Sequence, residues 1–285
     1  MIPMRQSNAA SQNSLLVPDE DSGGPPTTPR GAGPAGAAAD MARPRRGRGG
    51  GNVAWLRRAR QRHGIGEKGD VILLGGASVA DFRVRVAQSH ARHDMTPSYW
   101  STVGLVADAR TCIGVPLGGW DPSVVPGNNA IASTPMSEFD DADRYPNIAV
   151  VRFPGATSSV LDEVDALRTQ RTIADLPALV VAWLGFVWGT PQGVNPLLEG
   201  MGHPGAVLVE TAFGLVDVEL TPGLAAAASC PEAIWQSVKW WQDFYTQAVA
   251  GMAADVEPTR DTSPWGHYLI RQPQATYLDP GTPSA

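Results

Sequence analysis

Apolar positions along this chain fall into short runs separated by Gly- and Pro-rich breaks. Val71-Ile72-Leu73-Leu74 is a continuous apolar run stopped by Gly75-Gly76 and reads as a short strand. Ser78 followed three residues later by Asp81 is a variant capping box, and Val79, Phe82 and Val86 mark the buried face of the helix it opens. Trp100 to Val106 and Ile148 to Phe153 read as two further strands, and 108–145 between them is loop-rich. Ser159 with Asp162 opens a helix buried through Val160, Val164 and Leu167. Leu176 to Trp188 is the longest apolar run and predicts a buried helix, since it falls short of the roughly 18 residues that span a bilayer. Val207-Leu208-Val209 and Leu215 to Leu220 read as two strands joined through Gly214. A last helix follows Cys230, with apolar residues at Ile234, Val238, Trp241, Tyr245 and Val249. The order lacks regular strand–helix alternation and predicts an α+β fold.

The helix start at Ser229-Cys230-Pro231-Glu232 carries the first chemical candidate. Pro231 suits the first helical position, and Glu232 places negative charge in the first turn. Cys230 then stands at the N-cap, where free backbone N–H groups favour a thiolate, the nucleophilic form of cysteine. The competing reading is a small buried residue packed against the tryptophans. Cys112, the second of two cysteines, reads as a packed thiol; two are too few for a disulfide framework and do not pair as metal ligands. No metal or cofactor is expected.

Composition and charge divide the chain. Residues 1–52 are rich in Pro, Gly, Ala, Ser and Arg and are expected to be disordered, and Met41 within them is a second possible start. A basic linker helix is expected over 53–68, the folded domain over 69–250 and a Pro-rich extension over 251–285. Residues 1–68 hold 11 Lys and Arg against 5 Asp and Glu, whereas the whole chain holds 22 against 28. The basic segment suits an acidic partner or an anionic surface, and the acidic remainder argues against nucleic-acid binding by the folded domain. With no secretory signal and no membrane-length segment, a cytoplasmic location is expected.

Several segments, taken in order, resemble circularly permuted NlpC-like papain-fold amidases. Gly69-Asp70-Val71-Ile72-Leu73 is similar to the family's opening "GD-apolar" strand, and Trp100-Ser101-Thr102-Val103-Gly104-Leu105-Val106 to its "W-S-H-V-G-L-V" strand. Met136-Ser137-Glu138-Phe139 with Ile148 to Phe153 resembles its "P-L-S-E-F … V-A-V-x-R" passage, and Ser229 to Trp235 its "C-S-E-L" nucleophile helix. The resemblance implies an antiparallel sheet packed on the Cys230 helix. It also implies hydrolysis of amide or ester bonds in a cell-wall peptide, glycopeptide, isopeptide or lipid acyl substrate, with Cys230 as nucleophile. Thr102, however, stands where the family has its histidine base, and threonine cannot accept the thiol proton. Either another histidine replaces it or the domain is degenerate and serves as a binding or structural component. Among His90, His93, His203 and His267, the preferred substitute is His203, which leads into the segment holding Glu210, a candidate orienting carboxylate; His63 lies in the basic segment.

Overall fold

The apolar run at 71–74 becomes β1 (Val71–Gly75), a central strand of one antiparallel sheet. Its neighbours are β2 (Thr102–Val106) on one side and β5 (Asn147–Arg152) on the other. β3 (Thr111–Gly114) and β4 (Ala132–Pro135) extend the sheet beyond β2, and β6 (His267–Ile270) pairs with β5. The six strands lie in the order β4-β3-β2-β1-β5-β6. This is a computed structural model describing residues 50–117, 128–156, 158–189, 193–252 and 263–272, within the second of two units, 44–285. The expectation for the tail before residue 50 falls outside the described residues.

Strand alternation divides the core into two layers. Val71, Leu73, Val103, Leu105, Ala149 and Val151 point to one face. There they meet α3 (Ser158–Leu167), α5 (Pro204–Gly214) and α6 (Pro231–Met252) through Val164, Leu208, Phe213, Ile234 and Val238. Ile72, Leu74, Val106, Ile148 and Val150 point to the other face, against Leu56 and Ala59 of α1 (Asn52–His63). β1 is buried along its whole length because both layers cover it.

Several sequence expectations are corrected. α1 belongs to the folded domain rather than to a linker: Asn52 is buried, its Nδ2 donates to the carbonyls of Phe139 and Tyr145, and Arg271 Nη1 donates to its Oδ1 at 2.6 Å. The region after 251 supplies the edge strand β6. Two short strands, β3 and β4, occupy the segment read as loop-rich. Val207-Leu208-Val209 is helical, not extended, and Leu215 to Leu220 contains turns with Asp217 at φ 60°. A continuous apolar run fits a helix buried on every side as well as a strand, and periodicity does not separate them.

In α2 (Val79–Ala87) the capping box forms, with the Asp81 N–H donating to Ser78 Oγ at 3.1 Å. Its inward face is nevertheless Val84, Arg85 and Ala87, whereas Val79 and Val86 are exposed. Arg85 is held inside because its Nε donates to the Ser98 carbonyl at 2.7 Å. α4 (Leu176–Val187) buries Val180 and Trp183, but Val181 and the following Trp188 are 68% and 75% exposed. Among the described residues no helix is long and apolar enough to cross a membrane.

Candidate functional site

Cys230 stands at the N-cap of α6, where its carbonyl accepts the Ile234 N–H at 3.2 Å. The backbone N–H groups of Ala233 and Glu232 face the sulfur and favour its thiolate form. Burial outweighs them. Cys230 is 3% exposed, the carboxylates of Glu232 and Glu210 lie nearby, and its thiol is pushed up to about 12, chiefly by desolvation. At neutral pH the sulfur is a thiol, not a nucleophilic thiolate.

Glu210 and His203 do gather near this cysteine. His203 is the N-cap of α5, and its backbone N–H donates to the Ser229 carbonyl at 2.8 Å. Glu210, two turns further along α5, accepts the hydroxyls of Ser229 at 2.8 Å and Thr221 at 2.7 Å through Oε1. α5 presses its first turn onto β2: a Cβ at Gly205 would stand 2.7 Å from the Val103 carbonyl oxygen. The helix set most closely against β2 is therefore α5, while α6 lies toward β6, with Trp235 against Tyr268 at 4.6 Å between ring centroids.

The geometry does not make a catalytic dyad. Neither ring nitrogen of His203 makes a hydrogen bond of good geometry, and the ring packs edge-on against Trp183 at 5.2 Å. The nearby Ser101 carbonyl favours the charged ring, yet burial prevails and lowers the pKa to about 3. Burial also raises the Glu210 carboxyl above its usual range, against the two hydroxyls that stabilise the anion.

Thr102 lies on the opposite side of the sheet. Its neighbour Val103 points toward α5 and α6, so Thr102, Gly104 and Val106 point away. Thr102 lines a cavity of about 380 Å³ together with Cys112, Thr134, Asp81, Glu138 and Tyr145. Cys230 and Thr102, which the resemblance pairs as nucleophile and base position, therefore do not share a face of the sheet. A strand's adjacent residues face opposite ways, and the residues of β2 that approach α5 are the odd-numbered ones. Cys112 is buried in β3 and its thiol is also raised to about 12 by desolvation.

The other histidines stand apart. His63 is in the exposed last turn of α1, and His90 Nδ1 lies 3.0 Å from the Ala87 carbonyl. His93 lines a second cavity of about 400 Å³ beside Arg92, Tyr99, Trp235 and Lys239. His267 is on edge strand β6, where burial and then the Arg152 charge lower its pKa.

Sequence reading missed the network that fixes the α6 start. Glu232 is fully buried; its Oε2 accepts the Ser98 hydroxyl at 2.6 Å, and Arg92 Nη1 lies 3.5 Å from its Oε1. Gln88 Oε1 accepts the Glu232 N–H at 2.9 Å, while Gln88 Nε2 donates to the Trp100 carbonyl at 2.8 Å. Burial raises the Glu232 carboxyl, partly offset by Ser98, Gln236 and Arg92. The helix-start pattern marked Glu232, but Gln88, Arg92 and Ser98 lie more than a hundred residues earlier and leave no local signal. Among the described residues, no three His, Cys, Asp or Glu side chains are grouped to hold a metal ion.

No known protein family, curated protein or solved structure matches the chain. The class defined by its own geometry is an α+β domain built on an antiparallel sheet covered on both faces.

His203 makes the domain acid-sensitive. An unfolded histidine titrates near 6.5 and the folded one near 3, so its contribution is intact above about pH 6.5 and is lost as pH falls toward 3. His203→Phe removes this titration and breaks no hydrogen bond of good geometry, since neither ring nitrogen makes one. Relative to the wild type, the variant is expected to gain roughly 2–3 kcal/mol between pH 7 and about pH 4.5. Urea unfolding at both pH values measures this difference. Equal acid sensitivity of the two proteins would show that His203 is reached by solvent.

Proposed function

We infer that this chain is a non-catalytic module serving as a binding or structural component; it does not keep the permuted NlpC-like arrangement, because Thr102 and Cys230 lie on opposite faces of the sheet. The carrying observation is the sulfur. Cys230 caps its helix as the resemblance requires, but it is 3% exposed with its thiol raised to about 12, while Thr102 sits on the far face of the sheet. An ion pair joins two of the motifs that carry the resemblance. Arg152, the arginine of the "V-A-V-x-R" passage, donates Nε and Nη2 to the carboxylate of Asp70 in the "GD" motif, both at 2.7 Å.

The alternative is an active cysteine hydrolase with His203 as base and Glu210 as its orienting group. In its favour, all three residues are linked through the Ser229–Cys230 segment. Against it, Glu210 Oε1 is engaged by Thr221 and Ser229, and the His203 ring nitrogens lack a partner. A general base contributes roughly 10²- to 10⁴-fold and must reach the proton it takes.

Ester hydrolysis separates the readings. Wild type, Cys230→Ala and Thr102→His are all expected to hydrolyse p-nitrophenyl acetate at one background rate. A histidine at 102 would enter the far cavity and not approach the sulfur. Cys230-dependent turnover in wild type would overturn the non-catalytic reading, and a rise in Thr102→His alone would mean that the strand faces are not as described.

A further inference from the structure

α4 presents an apolar face that nothing covers among the described residues. The helix is uncharged throughout, and no charged residue occurs from Leu176 to Leu198. Leu176, Val180, Trp183 and Val187 face the core. A helix that is apolar all round is ordinarily buried all round. Here the opposite stripe is bare. Ala178 is exposed, Val181 is 68% exposed, and Trp188, which ends the helix in helical geometry at φ −78°, is 75% exposed. Gly185 completes the stripe, since steps of three, four and three residues keep to one side of a helix. The returning chain leaves the stripe open. Gly193 lies along the Gly185–Phe186 flank, where a Cβ would stand 2.9 Å from the Gly185 carbonyl oxygen, and it does not shield Val181 or Trp188.

The stripe is self-complementary in size and in charge. Trp183 is its midpoint: Ala178 and Trp188 lie five residues to either side, Val181 and Gly185 two. When two such helices run antiparallel about that point, each large side chain meets a small residue of the other copy. Trp188 falls over Ala178, and Val181 over Gly185. The helix ends carry opposite charges. Asp175, the exposed N-cap of α4, accepts the Ala178 N–H through Oδ1 at 3.4 Å. At the other end Arg83 donates Nη1 to the Val187 carbonyl at 2.6 Å, and a Cβ on Gly189 would stand 2.5 Å from that nitrogen. Neither side chain has an ion-pair partner among the described residues. Antiparallel pairing brings each Asp175 toward the partner's Arg83, twice by symmetry. The chain carries a net charge of −6, yet the face between these ends holds no charge, so two copies meet without like-charge repulsion across it. A lipid surface would gain nothing from the alternation of large and small residues and would meet the Asp175 carboxylate at one end.

We propose that α4 is a homodimerisation face that seats the antiparallel α4 of a second copy, with Trp188 over the partner's Ala178 and Asp175 beside the partner's Arg83. This goes beyond the reading of the domain as a non-catalytic module and does not rest on it. Two narrow apolar stripes make a contact of the small, reversible class.

The test is sedimentation velocity of the full chain at neutral pH, from about 1 to about 100 µM. A reversible monomer–dimer equilibrium is expected, with a dissociation constant on the order of 10 µM. Trp188→Ala is expected to weaken it about 30-fold, as the loss of a central aromatic anchor does. Arg83→Glu and Asp175→Lys each set like charges against one another at both ends and are each expected to weaken self-association about 10-fold. An equimolar mixture of these two variants is expected to dimerise like the wild type, because in the mixed pair every end again joins opposite charges. Circular dichroism melts check that each variant is folded. Should a charge variant not fold, Val181→Lys, at an exposed position, is expected to abolish dimerisation. A chain that stays monomeric at the highest concentration, a dimer that Trp188→Ala and Val181→Lys leave unchanged, or a mixture of folded charge variants no tighter than either alone overturns the proposal. So does a monomer that sediments with phosphatidylglycerol vesicles through Trp188, which would assign the stripe to lipid.

Discussion

Iodoacetamide is expected to alkylate Cys230 in the native protein at least about 1000-fold more slowly than in the unfolded chain at the same pH. Only the thiolate reacts. Raising the thiol from 9.0 to about 12 lowers the thiolate fraction at neutral pH by about three decades, and 3% exposure slows reagent access further. Cys112, with the same shift and 5% exposure, is expected to behave alike. Peptide mapping by mass spectrometry after timed quenching follows each cysteine separately. The same shifts give an alkaline limit to stability. Each thiol's contribution is intact below the unfolded value near 9 and is lost as pH rises toward 12. Labelling of Cys230 at the rate of a free thiol would show an open, ionised sulfur and return the hydrolase reading to first place.

Replacing Asp70 by alanine is expected to cost about 3–5 kcal/mol, the largest stability loss predicted for a polar residue of this domain. Asp70 is fully buried. Its Oδ2 accepts the N–H groups of Gly66 at 2.6 Å and Glu67 at 2.8 Å, besides Arg152 Nη2. Alanine would strand the Arg152 charge and leave two backbone donors without their acceptor, and such orphaned groups carry most of the penalty. For a domain of this size the melting temperature should fall by roughly 10 °C or more. Arg152→Lys should produce a smaller but clear loss, because an ammonium cannot reproduce the two-pronged contact. Thermal melts followed by circular dichroism measure both. An unchanged melting temperature in Asp70→Ala would mean that solvent already satisfies Arg152.

The pairing of Asp70 with Arg152 also gives a physical reason for two motifs that the sequence shows only as separate strings. Val71 and Val151 are register partners on adjacent strands, which sets the residues just beyond them side by side. Their ion pair closes that end of the β1–β5 pair.

The sequence by itself determined what depends on neighbours along the chain. Ser78 caps α2 because its hydroxyl reaches an N–H three residues on. Cys230 and Pro231 start α6 because proline needs no donor there. Val160, Val164 and Leu167 face inward because their spacing matches the helical period. The Gly75 and Gly76 stop, the caps and the apolar strand cores are all contained within a few residues.

Tertiary structure alone decided what depends on distant partners. Arg85 on α2 and Gln88 just after it turn inward because the carbonyls of Ser98 and Trp100 wait there, so Val79 and Val86 mark the wrong face. Val207 to Val209 form a helix rather than a strand because the site is apolar on every side, and a buried run carries no period to distinguish the two. Thr102 and Cys230, read from the motif order as two halves of one site, are parted by the sheet itself, since a strand sends alternate side chains to opposite faces and only the packing of α5 and α6 decides which face is theirs. That same packing removes the Cys230 sulfur from water and so decides its charge.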